Sequence, residues 1–345
     1  MKIKTHIFGL LSILLLTGTL ISQDVRFSQV LANPLRLNPA IMGANTDIKA
    51  TAMYRNQWVS VGKGYNTMAF SGLIPLFISD GKGKLDMGIS IMNTKAGAFT
   101  KLDAALSIGY SVQFAPYNNL SVALIGGLIQ NNLNSSGATY DSQYILGNYS
   151  SGNNSYEQTL IQKSTTPDVG FGLLWFMNSP RKDAKLNAYF GASGYHINEP
   201  NQSLVGGTNG KLPAKYSAQA GVKILGTNNI DISPNMRITM QNGNIESAIG
   251  TYLDYGVNDN FKLVVGAWYK RKDAVLLMLG IEHKSFAIAY SYDMTIRPMN
   301  TYFPGLNTHE ISLSFKLSRL SKTKMESFGG GTATPSVRNN LFNNF

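Results

Sequence analysis

Cysteine is absent from the 345 residues. Without it no disulfide can brace the fold, no thiolate can bind a metal, and no lipid can be attached to a cysteine behind a leader. Only four histidines are left for any other metal site. Charge is scarce as well, at 14% of residues against roughly 25% in soluble domains. Long apolar runs are scarcer still. One spans Ile7 to Ile21, and no later stretch offers the ~18 residues that a membrane-crossing helix needs. There is no Gly-x-Ser-x-Gly elbow, Walker phosphate loop or EF-hand spacing. A Ser/His/acid set drawn from His196, His283 or His309-Glu310 therefore has no motif behind it, and neither catalysis nor a cofactor is expected.

What remains is lopsided. Lys and Arg outnumber Asp and Glu 30 to 19, a net charge of +11. No basic cluster interleaved with aromatics accompanies this excess, which argues against nucleic acid. The one dense run, Lys270-Arg271-Lys272, is expected at an external hairpin tip facing anionic lipid or an acidic partner. Gly (34), Tyr (17) and Phe (16) are abundant. Lys2 and Lys4, the apolar run and Ser22-Gln23-Asp24 read as a secretory signal peptide over 1–22, cut between Ser22 and Gln23.

Beyond that leader the hydrophobic period is two. In Lys101 to Phe114, Leu102, Ala104, Leu106, Ile108, Tyr110, Val112 and Phe114 share one face, while Lys101, Asp103, Ser107, Ser111 and Gln113 share the other. Such segments exceed the roughly 5–6 residues of globular strands and reach the roughly 9–11 that a tilted strand needs to cross a bilayer. About 14 of them are expected: 47–58, 64–76, 84–93, 101–114, 119–131, 167–177, 186–196, 214–225, 229–240, 244–255, 260–270, 273–282, 285–293 and 308–318. The three long joints, about 132–166, 197–213 and 294–307, are all odd-numbered. Short turns on one side and long loops on the other are the habit of outer-membrane barrels. The expectation is an all-β, up-and-down antiparallel transmembrane barrel over 46–318, with Lys49, Arg55, Lys101, Lys215, Lys223 and Arg237 facing the lumen. A flexible tail follows over 319–345, and both termini are expected in the periplasm.

The stretch before the first strand, 23–45, is expected at the periplasmic mouth. It carries Asn33-Pro34 and Asn38-Pro39, which forbid a long helix. It also keeps apolar residues that need cover. Pro34 and Pro39 are expected to fold it against the rim or lumen, with Phe27, Leu31, Leu35 and Leu37 as buried anchors.

The chain resembles the PorP/SprF family of type IX secretion outer-membrane proteins. FSQVLANPLRLNPA (27–40) and YRNQW (54–58) carry the resemblance at the front, GYHINEPNQS (194–203) and ISPNMR (232–237) in the middle. WYKRKDAVLLMLGIE (268–282), AYSYDMT (289–295) and THEISLSF (308–315) carry it at the end. The extension after Leu317 departs from the family's usual ending. The resemblance implies an outer-membrane protein that supports secretion or surface display of a large cargo with a C-terminal sorting domain, of adhesin or gliding type. It also implies coupling to other secretion components in the periplasm, and it supplies no catalytic residue. A passive channel for small solutes is the alternative. Candidate partner-binding residues are Asn33, Pro34, Asn38 and Pro39 in the front segment and Arg55 and Gln57 on the first strand. Tyr140, Tyr144, Tyr149 and Tyr156 join them from the Asn/Ser/Gly/Tyr-rich loop, whose composition suits adaptable binding.

Overall fold

A computed structural model describes residues 24–58, 64–77, 83–134, 143–145, 148–150, 163–178, 186–204, 210–226, 229–297 and 305–317. The expected leader over 1–22 and the expected tail over 319–345 lie outside them. The strands are β1 (Ile48–Gln57), β2 (Tyr65–Phe77), β3 (Gly83–Ala96), β4 (Phe99–Ala115), β5 (Asn118–Leu133), β6 (Tyr144–Ile145), β7 (Asn148–Tyr149) and β8 (Lys163–Met177). They continue with β9 (Leu186–Tyr195), β10 (Lys215–Leu225), β11 (Ile230–Gln241), β12 (Asn244–Gly256), β13 (Phe261–Lys270), β14 (Ala274–His283), β15 (Phe286–Thr295) and β16 (Thr308–Leu317).

All but β6 and β7 form one closed antiparallel barrel in which each strand pairs with its neighbours in sequence. The ring shuts where β1 meets β16, from Ile48 opposite Leu317 to Gln57 opposite Thr308. Closure leaves no edge strand, so the backbone groups in the apolar layer can be answered within the ladder. The fourteen barrel strands coincide with the fourteen segments expected from period two. β3 and β8 run further than expected, to Ala96 and from Lys163, because polar ends such as Asn93-Thr94-Lys95 lose the alternation yet keep their ladder with β4. β6 and β7 form a small hairpin of their own within the longest joint.

The pleat sorts the side chains. Leu106, Ile108, Leu124, Ile249, Leu279 and Phe315 stand on the outer surface, while Lys49, Ser71, Asp86, Ser107, Lys223 and Glu282 are buried inside. The six basic residues expected to face the lumen are all buried there. β1 begins and β16 ends at one mouth, here the lower. The three long joints all lie at the other, the upper. Tight turns occur at the upper mouth too. Asn242 (φ 49°) and Gly243 (φ 73°) link β11 to β12, both in the left-handed region that two-residue hairpins require. The basic run at the β13–β14 turn splits: Arg271 and Lys272 are exposed, but Lys270 is the last residue of β13 and its side chain turns into the lumen.

The segment ahead of β1 is not confined to the lower mouth, as expected, but runs through the lumen from one mouth to the other. Asp24 sits among residues of the upper strand ends, Lys101, Lys215 and His196. Met42 and Asn45 sit beside Lys84 at the lower end of β3. The described chain therefore starts at the upper mouth and ends, at Leu317, at the lower one. Its fold follows the two Asn-Pro pairs. Pro34–Leu37 makes one helical turn, α1, and Pro39–Ala44 a 3-10 turn. Between them Asn38 is extended (φ −161°, ψ 116°), since a residue before proline is pushed out of the helical region. Asn38 also accepts a bond on its side chain from Ala40 N at 2.9 Å, capping the second turn.

Phe27, Leu31, Leu35 and Leu37 are buried, together with Ile41 and Met42. They pack in one apolar cluster with inward residues of the wall, among them Met53, Met92, Leu174, Phe176, Trp268 and Met278. Each such side chain is worth roughly 1.5–3 kcal/mol when fully covered. The wall makes room with glycine. A Cβ on Gly172 would collide with Asn38 Oδ1 and come within 2.9 Å of Ala40 N. Gly172→Val is therefore expected to leave the ladder intact and dislodge the segment. Protease cleavage within 24–46 and ion conductance in planar bilayers should both rise above the parent's. Unchanged protection and conductance would show that the segment is not seated against β8.

Candidate functional site

The lumen is a polar wall closed over a chain segment, and the contacts between them fall into three tiers. In the upper tier the Glu310 carboxylate accepts from Ser28 N at 2.7 and 2.9 Å and from Gln29 N at 3.0 Å, and is paired with Arg55. Ser28 Oγ donates to Asp293 at 2.5 Å, and Lys270 pairs with the same carboxylate at 2.7 Å. Gln29 binds Ser291 Oγ and Glu310 O through Nε2, and accepts from Ser312 Oγ at 2.6 Å. The middle tier centres on Arg36, whose guanidinium forks onto both oxygens of Asp103 at 2.8 Å and reaches Ser90 Oγ at 3.0 Å. This bidentate geometry is among the strongest a side-chain pair can make. Asn38 Nδ2 donates to the backbone carbonyls of Leu173 and Ala192, and Ser193 and Tyr195 donate to the carbonyls of Leu37 and Leu35. In the lower tier Lys84 pairs with Asp86 and donates to the carbonyls of Met42 and Asn45.

The other side of the wall satisfies itself. Lys223, Asp254, Lys262, Glu282 and Lys316 form a continuous string of alternating charge on β10, β12, β13, β14 and β16. Buried charges require such partners, because an isolated ion in a low-dielectric interior is far too costly.

At the top, Asp24 is the hub. Its carboxylate meets Lys215 at 2.8 Å, Lys101 at 3.1 Å and His196 Nε2 at 2.6 Å, and His196 Nδ1 contacts Asp168 at 2.8 Å. Burial pushes the Asp24 carboxyl up, but Lys215, Lys101 and His196 outweigh it and hold it well below the usual carboxylate range. Burial pushes His196 down, but Asp24 and the bonds to both carboxylates outweigh it and raise the imidazole above its ordinary value. His196 thus bonds two aspartates rather than a serine, and His309 Nδ1 bonds Tyr290 OH at 2.7 Å.

The expected partner residues divide. Asn33, Pro34, Asn38, Pro39 and Arg55 are buried inside the lumen, and Gln57, half-buried, accepts from Arg55 at the upper mouth. Tyr140 and Tyr156 lie outside the described residues. Tyr144 and Tyr149 pair in the β6–β7 hairpin through their backbones. Sequence reasoning missed Asp24 within the segment, and Asp103, Asp293 and Glu310 on the wall, as the groups that join the two. Their signal was a carboxylate on the lumen phase of a strand, or at the front of the segment, facing an excess of cations.

The motifs that are scattered in sequence meet in this site. FSQ supplies Ser28 and Gln29, YRNQW supplies Arg55, and GYHINEPNQS supplies His196. The last three supply Lys270, Asp293 and Glu310. The model of the family described as type IX secretion system membrane protein PorP/SprF matches residues 19–315. The chain belongs to the PorP/SprF family. It is an outer-membrane β-barrel of a type IX secretion family.

Among solved structures, a TodX mutant described as a monoaromatic hydrocarbon channel is similar at TM-score 0.51 and 10% identity, over 86% of this chain and 95% of that one. The Pseudomonas putida toluene transporter TodX gives 0.48 and 10% over 86% and 95%. A Pseudomonas aeruginosa FadL homologue gives 0.48 and 12% over 81% and 92%. At such identity the likeness concerns the fold alone. No curated protein matches the chain in sequence.

The latch on Asp24 has a defined pH window. Because docking raises the His196 pKa, its contribution is complete below the ordinary value of about 6.5 and is lost as pH rises through the raised one. Because docking lowers the Asp24 pKa, that contribution holds above the ordinary value of 3.8 and is lost only as pH falls through the lowered one. Amide exchange over residues 24–30, corrected for intrinsic rates, should therefore accelerate on the alkaline side of the His196 titration. His196→Gln should remove that step, and an identical profile in the variant would show that His196 does not hold the segment.

Proposed function

We propose that this PorP/SprF barrel binds a large secreted protein at its upper mouth and supports that protein's secretion or surface display. The observation behind this reading is a lumen occupied throughout its length by the chain's own buried segment, with open space left at the upper mouth. A wall whose ions are committed to one another and to an internal segment of the chain is built to hold something still, not to pass solutes. The upper mouth gathers the three long joints, which is the arrangement of external loops, so it faces outward in this reading. The cargo is a large adhesin or gliding protein carrying a C-terminal sorting domain. The lower mouth, where β16 ends, faces the periplasm and the other secretion components, and the apolar outer face meets outer-membrane lipid. In this orientation Asp24 lies on the outer side and Leu317 on the periplasmic side.

A passive channel for small solutes is the second reading, favoured by the fold shared with a monoaromatic hydrocarbon channel. Deleting the gene and quantifying displayed and shed proteins by mass spectrometry separates the two. Loss of one or a few large surface proteins, with general secretion intact, is the expected result. An unchanged surface proteome together with reduced uptake of a solute would replace the cargo reading with the channel.

A further inference from the structure

Above the segment the upper mouth holds a cavity of about 340 Å³. Its lining includes five cations, Arg26, Arg55, Arg237, Lys270 and Arg297, and three acids, Asp24, Glu246 and Asp273. Four of the cations have counter-charges. Arg26 pairs with Glu246, Arg55 with Glu310, Lys270 with Asp293 at 2.7 Å and Arg297 with Asp273 at 2.7 Å. Asp24 is held by Lys101, Lys215 and His196. Arg237 is left over.

Arg237 projects from β11 into the lumen and is 8% exposed. The carboxylate that acts on it, Glu310, is already held by Arg55, Ser28 and Gln29, and among the described residues its guanidinium makes no ion pair or hydrogen bond of its own. Gln219, its cross-strand neighbour on β10, is 2% exposed and also lacks a partner at both side-chain atoms. Arg237 also lines a second, smaller cavity of about 50 Å³ beneath, shared with Asn33, whose side-chain amide is buried and unpaired. A guanidinium cannot shed its proton to escape burial, so its five donors ask for an oxyanion. Only the larger cavity has room for a substantial one.

We propose that this vestibule is a carboxylate site, and that its ligand is an acidic peptide segment entering the upper mouth, with Arg237 as the clamp. The fork of one guanidinium matches one planar carboxylate, whereas a phosphate dianion would be only half neutralised by Arg237, the one cation without an ion pair among the described residues of the lining. The cavity opens within the lumen and not on the apolar outer wall, so a lipid headgroup is the wrong occupant. Trp58 and Tyr65 line the same cavity, edge to face with ring centroids 5.3 Å apart, and offer an apolar wall for the peptide's stem. That the peptide comes from the secreted cargo rests on the function proposed above; the carboxylate chemistry does not.

The test is a titration of the purified full-length protein in detergent with capped tetraglutamate, with capped tetraglutamine and inorganic phosphate in parallel. Tetraglutamate should bind saturably and at least tenfold more tightly than tetraglutamine. Arg237→Gln should weaken it about tenfold, Arg237→Lys less, and Trp58→Ala several-fold. Without peptide, Arg237→Gln should unfold at the parent's temperature or above, because it removes a buried charge that lacks a partner. A marked fall in unfolding temperature would instead reveal a structural partner and overturn the assignment. So would equal binding of tetraglutamate and tetraglutamine, or displacement of tetraglutamate by equimolar phosphate, which would mark a small-anion site only. Failure of the Arg237 variants to fold counts as the same overturning result for Arg237 as the clamp, and the peptide and phosphate comparisons on the parent and Trp58→Ala then decide whether the vestibule binds carboxylates at all. Tight tetraglutamate binding alongside an unchanged surface proteome would overturn the cargo reading and leave the site standing.

Discussion

A charge taken out of water must be answered by another, and a closed strand ladder concentrates that demand on its inner face. The outer face of this barrel meets hydrocarbon and is apolar, so the pleat drives the polar half of every strand inward. Were the interior wide and wet, water would answer those groups. Here much of the wall is buried, and two devices answer instead. On β10, β12, β13, β14 and β16 the wall neutralises itself with alternating lysines and carboxylates. Elsewhere the front of the chain supplies the partners, through Asp24, Ser28, Gln29, Arg36 and Asn38.

The two Asn-Pro pairs suit that task. A continuous helix would satisfy its own backbone and present only side chains. The broken segment leaves backbone N–H groups at Ser28 and Gln29 and carbonyls at Leu35, Leu37, Met42 and Asn45 available to the wall. Each is then satisfied by a wall group, so the fit is specific at backbone level and does not depend on apolar packing alone. The apolar anchors add affinity in the gaps, where Met53, Trp268 and Met278 break the polar run of their strands.

Much of this was legible in the sequence, for a definite reason. Period two over ten or more residues has only one structural meaning, and the parity of the long joints fixed which strand ends share a mouth. The anchors Phe27, Leu31, Leu35 and Leu37 were legible because apolar side chains flanked by Asn-Pro turns need cover. What could not be read was depth. Asp24 looked like the polar edge of a leader, and nothing local says that it ends beside His196, a residue far along the chain. Lys270 was assigned to a turn because it stands beside Arg271 and Lys272, yet its phase on β13 turns it inward. Long-range pairing of charges obeys no period, so Glu310 and Asp293 stayed unrecognised although their strands were placed correctly.

The route of the segment also bears on how the molecule is assembled. It crosses from the upper mouth to the lower one before β1 begins, and β16 joins β1 only at the far end of the chain. Until that seam forms, the sheet is an open ribbon and the segment can lie against it from the side. Once it forms, the segment is encircled. If the ribbon wraps around the chain's own beginning, the last strand closes the hoop over it. A beginning too bulky to be wrapped would stall that final step, although every strand of the barrel had already been made.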